Sequence, residues 1–127
     1  TLAKEQADIE KVHVRWLLAD VVNLPETGPF DFLFDRGCYH HVRRYAASRF
    51  VKEVSRVSSK KAYFLILAGN ANEPRHYGPP RVKQTEIVND FDPSWDIVWL
   101  KEIRFNDSPG GPWAWSVLLR RSARRED

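Results

Sequence analysis

The chain has 127 residues, of which 43% are hydrophobic and 29% charged, and a formal net charge of +3; this profile predicts one globular domain and excludes a disordered segment. No stretch approaches the roughly 20 apolar residues of a membrane span, and the first residues lack the apolar run of a signal peptide, so we expect a cytoplasmic protein without a membrane partner. Cys38 is the only cysteine, which excludes an internal disulfide, and we predict no metal site.

The first half of the chain predicts a short helix, two strands and a long helix. Residues 1–10 show a weak helical periodicity, and residues 12–19 form an apolar block typical of a strand. A turn-rich loop separates this block from a second strand over residues 30–34, which is almost continuously apolar, as expected of a strand covered on both faces. Over residues 41–57 the apolar positions recur every three or four residues, which predicts an amphipathic helix.

The second half predicts further strands and one short helix. Residues 62–68 form a third buried strand, residues 70–80 a polar loop, and residues 83–91 a short helix. Residues 95–105 and 113–119 are strand-like runs joined by a turn-rich loop, so we expect them to form an antiparallel pair. The whole order predicts an α/β fold: a mostly parallel sheet with an antiparallel C-terminal strand and helices on its faces.

The positive charge is concentrated in a basic tail, residues 120–127, at the end of this single domain of residues 1–127. Without the tail, the chain carries 16 basic and 15 acidic side chains, a net charge of +1. A short arginine-rich end is more often a solvated terminus than a phosphate-binding arm, so nucleic acid is not an expected partner.

Six sequence segments in chain order carry a resemblance to a known family. They are VRWLLADVVNLP, PFDFLFDRGCYHHV, HHVRRYAASRFVKEVSRV, AYFLILAG, GPPRVKQTEIVNDF and WAWSVLLRR, and the pattern FDxxxDRGxxHH in the second is the most specific. Together they resemble the C-terminal two-thirds of a class I S-adenosylmethionine-dependent methyltransferase. The resemblance implies an incomplete Rossmann-like methyltransferase fold, S-adenosylmethionine as cofactor, and in-line transfer of its methyl group to a small-molecule acceptor.

The resemblance also implies a cofactor site at the carboxyl ends of strands, where doubly wound sheets bind nucleotide-like ligands. Asp20 corresponds to the acidic residue that accepts a hydrogen bond from the adenine amino group, and the Val21 amide corresponds to the donor to a ring nitrogen. Asp35, Arg36 and Gly37 correspond to the turn that lines the methionine portion. The alternative role for Asp20 is that of a loop cap.

The same turn supplies the candidate catalytic residues Asp35, His40 and His41. A neutral imidazole beside the methyl donor can remove a proton from an attacking oxygen or nitrogen. Two plainer roles stay open: His41 begins the helix, and Cys38 is a small buried hydrophobe. The polar loop over residues 70–80 would roof the acceptor pocket or form an ordinary surface loop, and its candidate substrate-binding residues are Arg75, His76 and Tyr77.

The family's Gly-rich first motif, with the strand that follows it, is missing from this sequence. The chain contains no methionine and begins at Thr1, so we expect a fragment of a longer methyltransferase. A cut chain, disordered upstream residues and a truncated, inactive relative are the three competing explanations. In each case we expect the isolated chain to be inactive and to bind S-adenosylmethionine weakly or not at all.

The missing strands have a consequence for the sheet. In the family they lie between the strands that correspond to residues 12–19 and 30–34, so here the first strand loses its neighbours and the second becomes an edge. A long apolar edge strand invites pairing, and we predict a homodimer formed by edge-strand pairing or by exchange of the N-terminal segment. The alternative function is a non-catalytic scaffold that contacts RNA or protein through its arginine-rich tail.

Overall fold

The computed structural model describes residues 2–74, 80–105 and 110–123 as a mixed α/β fold. In chain order its elements are α1 (Leu2–Ile9), β1 (Phe30–Arg36), α2 (Tyr39–Arg56), β2 (Ser58–Asn70), β3 (Arg81–Val82), α3 (Gln84–Phe91), β4 (Trp95–Arg104) and β5 (Trp113–Arg121). The helices and strands predicted over residues 30–119 are therefore confirmed, apart from their ends and from a kink in α2 at Ala46, whose backbone is not helical. None of the helices in these ranges is long and apolar enough to cross a membrane.

The strands form one five-stranded sheet with the order β1-β2-β5-β4, and the short β3 pairs with the end of β2. The pairs β1–β2 and β2–β3 are parallel, whereas β5 is antiparallel to both β2 and β4. Strands β1 to β4 thus run in one direction and β5 runs in the other. This arrangement confirms the mixed sheet with an antiparallel C-terminal strand, and it confirms that β1 is an edge.

Helices α2 and α3 contact each other and pack on one face of the sheet. In β2 the residues of alternate positions, from Ala62 to Ala68, are buried on that face, while Tyr63 on the other face is exposed. The core contains Phe50, Val51, Val54, Phe64, Ile66, Ile87, Phe91, Trp95, Trp115, Val117 and Leu119. Burial of these large apolar side chains supplies the main favourable free energy of folding.

The prediction that the strand over residues 30–34 is covered on both faces is wrong. Phe30, Phe32 and Phe34 are 44%, 57% and 57% exposed, and only Leu33 on the helix side packs against the core. The physical reason is that α2 and α3 both pack on the face of the sheet that carries Leu33, so among the described residues no helix covers the face that carries the three phenylalanines.

The predicted strand over residues 12–19 is also absent from the structure. These residues carry no regular secondary structure and all of them are exposed. A strand is stabilised by backbone hydrogen bonds to a neighbour, and in the described part of the chain no strand lies beside this segment. The β-type pairing seen nearest to this segment is a single isolated bridge between Asp20 and Asn23.

The basic tail begins later than its charge pattern suggests. Arg120 and Arg121 belong to β5, whereas residues 124–127 lie outside the described ranges. The Arg121 guanidinium lies 5.4 Å from the centre of the Trp95 ring and donates a hydrogen bond of 3.1 Å to the carbonyl oxygen of Ser94. Arg121 therefore helps to close the end of the sheet and is not part of a free tail.

Candidate functional site

The carboxyl end of β1 leads through a tight turn at Gly37 into the first turn of α2. The Asp35 carboxylate accepts hydrogen bonds from the backbone N–H groups of Cys38, at 3.0 Å, and Tyr39, at 2.7 Å. These contacts satisfy two of the amides that a helix N-terminus leaves without partners. Burial raises the pKa of Asp35 above its usual value, and the two amides only partly offset this effect.

His40 joins the start of α2 to the end of β2. Its ring is buried, and the backbone N–H of Gly69 donates a hydrogen bond of 2.7 Å to Nδ1. An N–H group can only donate, so Nδ1 accepts and the proton of the neutral ring is on Nε2. Burial lowers the pKa of His40, with smaller contributions from His41 and Arg44, and this favours the neutral imidazole.

The neighbouring candidates differ in exposure. His41 lies on the outer surface of α2, where the Arg44 guanidinium comes within 2.9 Å of its Nδ1 atom. Cys38 is half-buried, and burial together with the charge of Asp35 raises the pKa of its thiol to about 11. A thiol with this pKa stays protonated at neutral pH and is a poor nucleophile. The structure thus brings Asp35, Cys38 and His40 together and leaves His41 outside.

Asp20 and Val21 form a turn that approaches this region. The Asp20 Oδ1 atom accepts a hydrogen bond of 3.0 Å from the Val22 N–H, and the Asp20 carbonyl oxygen accepts one of 2.9 Å from the Asn23 N–H. Asp20 therefore acts as a loop cap, which leaves its Oδ2 atom available. The Val21 side chain lines a cleft of about 250 Å³, whose walls are completed by Leu33, Phe34, Asp35, Cys38, Phe50, Val54 and Phe64.

The two remaining residues of the turn have different surroundings. The exposed Arg36 side chain lies over the Phe105 ring, with its guanidinium carbon 5.3 Å from the ring centre. Gly37 has φ = +91°, a conformation that L side chains rarely adopt. The nearest atom to an added Cβ would be His40 Nε2 at 3.7 Å, so the backbone at Gly37 is open to a close approach.

A second polar cluster at the carboxyl end of β2 was not predicted from the sequence. Asn70 is fully buried, and its side-chain amide and that of Asn72 donate hydrogen bonds of 3.0 and 2.9 Å to Oε2 of Glu102. The two bonds lower the pKa of Glu102, and the bond from Asn72 has the larger effect. The position of Asn70 at the end of an apolar strand is the signal that could have identified it. The predicted substrate residues Arg75, His76 and Tyr77 lie outside the described residues.

Proteins similar to this chain occur among solved structures, and they share its fold. No protein-family model matches the chain, and no curated protein matches it in sequence. A structure concerned with the conversion of a disulfide bond into a thioacetal group during echinomycin biosynthesis superposes with a TM-score of 0.77, at 16% identity over 98% of this chain. The 1,6-didemethyltoxoflavin-N1-methyltransferase of Burkholderia thailandensis, solved with S-adenosylhomocysteine, superposes with a TM-score of 0.72, at 16% identity over 94% of this chain. A SAM-dependent methyltransferase from Aquifex aeolicus superposes with a TM-score of 0.69, at 19% identity over 94% of this chain.

The chain spans only part of these proteins, namely 63%, 56% and 61% of their respective lengths. Identities this low show a shared fold and leave the activity open. The fold of the described residues is therefore similar to that of class I SAM-dependent methyltransferases.

Proposed function

We propose that this chain belongs to a protein that transfers the methyl group of S-adenosylmethionine to a small-molecule acceptor. The observation that carries the proposal is the cleft of about 250 Å³ at the carboxyl end of β1, in a fold similar to that of SAM-dependent methyltransferases. Open α/β sheets bind their ligands at this position. The nearly neutral charge of the chain outside residues 120–127 supports a small acceptor rather than a nucleic acid.

The cleft suits the adenine ring of the cofactor. Its apolar lining, which includes Val21, Leu33 and Phe64, favours the burial of a flat heterocycle. Among the described residues, no partner is seen for the Val21 N–H, so this group can donate to a ring nitrogen. Asp20 can accept from the adenine amino group through Oδ2, because only its Oδ1 atom is occupied by the turn. S-adenosylmethionine, when bound, supplies a methyl group on a positively charged sulfur.

Asp35 and His40 act in this proposal as positioning residues for the turn at Gly37. Both carboxylate oxygens of Asp35 and the Nδ1 atom of His40 accept backbone hydrogen bonds, which tie the turn to the start of α2 and to the end of β2. Positioning supplies much of the rate in a transfer from a charged leaving group. The turn at Gly37 would face the methionine portion, with Arg36 at its rim. A catalytic role for His41, which does not line the cleft, stays a prediction.

The residues present fit only part of the cofactor. Asp20, Val21 and Gly37 fit the adenine and methionine sides, but the sequence offers no Gly-rich turn and no acidic strand end for the ribose. We therefore propose that the chain alone binds the cofactor weakly and is inactive. The complete product of the gene is the form in which the activity should be tested.

Calorimetric titration with S-adenosylmethionine and S-adenosylhomocysteine tests this function, on the chain and on the product of the complete open reading frame. Asp20→Asn should weaken binding about tenfold, which corresponds to about 1.4 kcal/mol for the lost charged acceptor. Asp8→Asn, at an exposed position of α1, is the matched control and should bind like the unmodified protein.

If the complete gene product binds neither compound, the proposed function is refuted. RNA binding that weakens steeply with salt would then favour the scaffold alternative, since such binding depends on the release of counterions. If both compounds bind and Asp20→Asn has no effect, the cofactor lies elsewhere and the assignment of Asp20 and Val21 is wrong.

A further inference from the structure

The outer face of α2 is positively charged. Arg44, Arg49 and Lys52 are exposed on this helix, and within the described ranges none of the three forms a salt bridge. The one acidic residue of α2 is Glu53, whose buried carboxylate already pairs with Arg56. A surface of this kind attracts a negatively charged ligand.

A groove lies at the kink of α2, beside these cations. The backbone of Ala46 has φ = −151° and ψ = 43°, which is not helical, and a second helical stretch follows it. The groove has a volume of about 670 Å³ and is open to solvent. From α2 its lining includes Tyr45, Ala47, Ser48, Arg49 and Lys52. Its volume lies in the range of sites that hold small molecules, about 300–1,000 Å³.

Tyr45 supplies an aromatic ring at this groove. Its side chain is 71% exposed, so most of the ring surface is free for a ligand. The ring of His41 lies at 85° to that of Tyr45, with the ring centres 6.5 Å apart, and the Arg44 guanidinium comes within 2.9 Å of the His41 Nδ1 atom. These contacts orient the Tyr45 ring. A flat heterocycle such as a nucleic base stacks on an exposed ring of this kind.

The polar side chains of the groove suit a phosphate group. Lys52 follows Ser48 by four residues and Arg49 by three, so the three side chains are neighbours on the second half of α2. Arg49 donates a hydrogen bond of 3.1 Å from Nε to the Val22 carbonyl oxygen, which holds the guanidinium in place. Its terminal amino groups make no hydrogen bond within the described residues. A guanidinium, an ammonium group and a hydroxyl together supply the donors that a phosphate accepts from.

We propose that this groove binds a free nucleoside phosphate. The base stacks on Tyr45, and the phosphate binds the side chains of Ser48, Arg49 and Lys52. An acidic peptide would satisfy the cations, but its carboxylates offer no flat ring to Tyr45. A nucleic-acid strand needs an extended basic surface, whereas this chain has a net charge of only +3 and the groove has the size of a small-molecule site.

The groove is distinct from the cofactor cleft, so this site does not depend on the proposed methyl transfer. No described residue lines both, because the cleft contacts Val21 and the groove contacts its neighbour Val22. On α2 the cleft is lined by the buried residues Phe50 and Val54, whereas the charged residues that line the groove are exposed. The two sites can therefore be tested separately.

Calorimetric titration of the full chain with uridine diphosphate tests this site. A uridine nucleotide is the probe because an adenine nucleotide would also suit the cofactor cleft. Tyr45→Ala, Arg49→Ala and Lys52→Ala should each weaken binding about tenfold, through the loss of stacking or of a charged hydrogen bond. Tyr63→Ala and Lys101→Ala are the matched controls and should bind like the unmodified chain, because both residues are exposed but lie on β2 and β4.

Competing ligands separate this site from other modes of binding. Neither S-adenosylhomocysteine, which belongs in the cofactor cleft, nor polyglutamate should displace uridine diphosphate, and an oligouridine strand should bind no more tightly than the free nucleotide. Circular dichroism checks that each variant retains its fold. The proposal is overturned if uridine diphosphate does not bind at millimolar concentration, or if Tyr45→Ala or Lys52→Ala has no effect. It is also overturned if the control variants weaken binding equally, if either competitor displaces the nucleotide, or if the strand binds more tightly.

Discussion

His40 provides the sharpest test of how the site is held together. Its Nδ1 atom is the acceptor for the buried Gly69 N–H, so His40→Ala removes this partner. An unsatisfied buried N–H costs about 1–3 kcal/mol, and the space left by the ring adds about 1 kcal/mol. We therefore expect the free energy of unfolding to fall by about 2–4 kcal/mol. In a domain of this size, about 4 °C of melting temperature corresponds to each kcal/mol, so Tm should fall by about 8–16 °C.

Two further variants distinguish the hydrogen bond from the titration of the ring. His40→Asn retains an acceptor at the position of Nδ1 and should recover much of the lost stability. His41→Ala removes an exposed neighbour and should change stability by less than about 0.5 kcal/mol. Urea unfolding followed by tryptophan fluorescence measures all three variants, since Trp95 and Trp115 are buried in the core.

The pH dependence of stability is the second part of this test. Burial lowers the pKa of His40 in the folded chain below 6.5, the ordinary value that it has in the unfolded chain. At a pH between the two pKa values, the unfolded chain therefore binds more protons than the folded chain. This contribution to stability is present above pH 6.5 and is lost as the pH falls from 6.5 toward the lower folded value. His40→Asn should remove this loss, whereas His41→Ala should retain it. Equal effects of His40→Ala and His41→Ala, or an unchanged pH dependence in His40→Asn, would refute the reasoning.

Two other contacts and one backbone conformation have measurable consequences. Hydrogen bonds lower the pKa of Glu53 to about 2, with the larger effect from Arg56 and a smaller one from a backbone amide. The stabilisation that the charged Glu53 supplies is therefore present above pH 4.5 and is lost as the pH falls toward 2. Glu53→Gln should make the stability less dependent on pH over this range, as measured by acid unfolding. Tyr39→Phe removes a 2.6 Å hydrogen bond to the Asp90 carboxylate and should cost about 2 kcal/mol in urea unfolding, a value near zero contradicting the contact. Gly37→Ala forces a side chain into positive φ and should cost about 1–2 kcal/mol by thermal melting, and an unchanged stability would contradict the strain.

Local patterns in the sequence determined most of the regular elements. The apolar positions of α2 recur with helical spacing, and buried residues such as Val42, Val51 and Val54 are the ones that this spacing predicts. The strand-like runs on either side of the turn-rich loop form the antiparallel pair β4–β5. These elements were predictable because their periodicity reflects the face that each buries, and α2 and the β4–β5 pair have partners within the described residues.

Only the tertiary structure decided what becomes of a segment without a partner. Residues 12–18 have a strand pattern as clear as that of β1, yet they form no strand, because a strand depends on hydrogen bonds to a neighbour that the sequence of the segment does not specify. The same limit applies to the site. His40 and His41 are adjacent and chemically identical, but one is buried against Gly69 and the other is exposed, since which face of a helix meets the sheet is set by packing. Asp35 likewise could be placed at a strand end from the sequence, whereas the direction of its carboxylate toward the amides of α2 required the three-dimensional course of the turn.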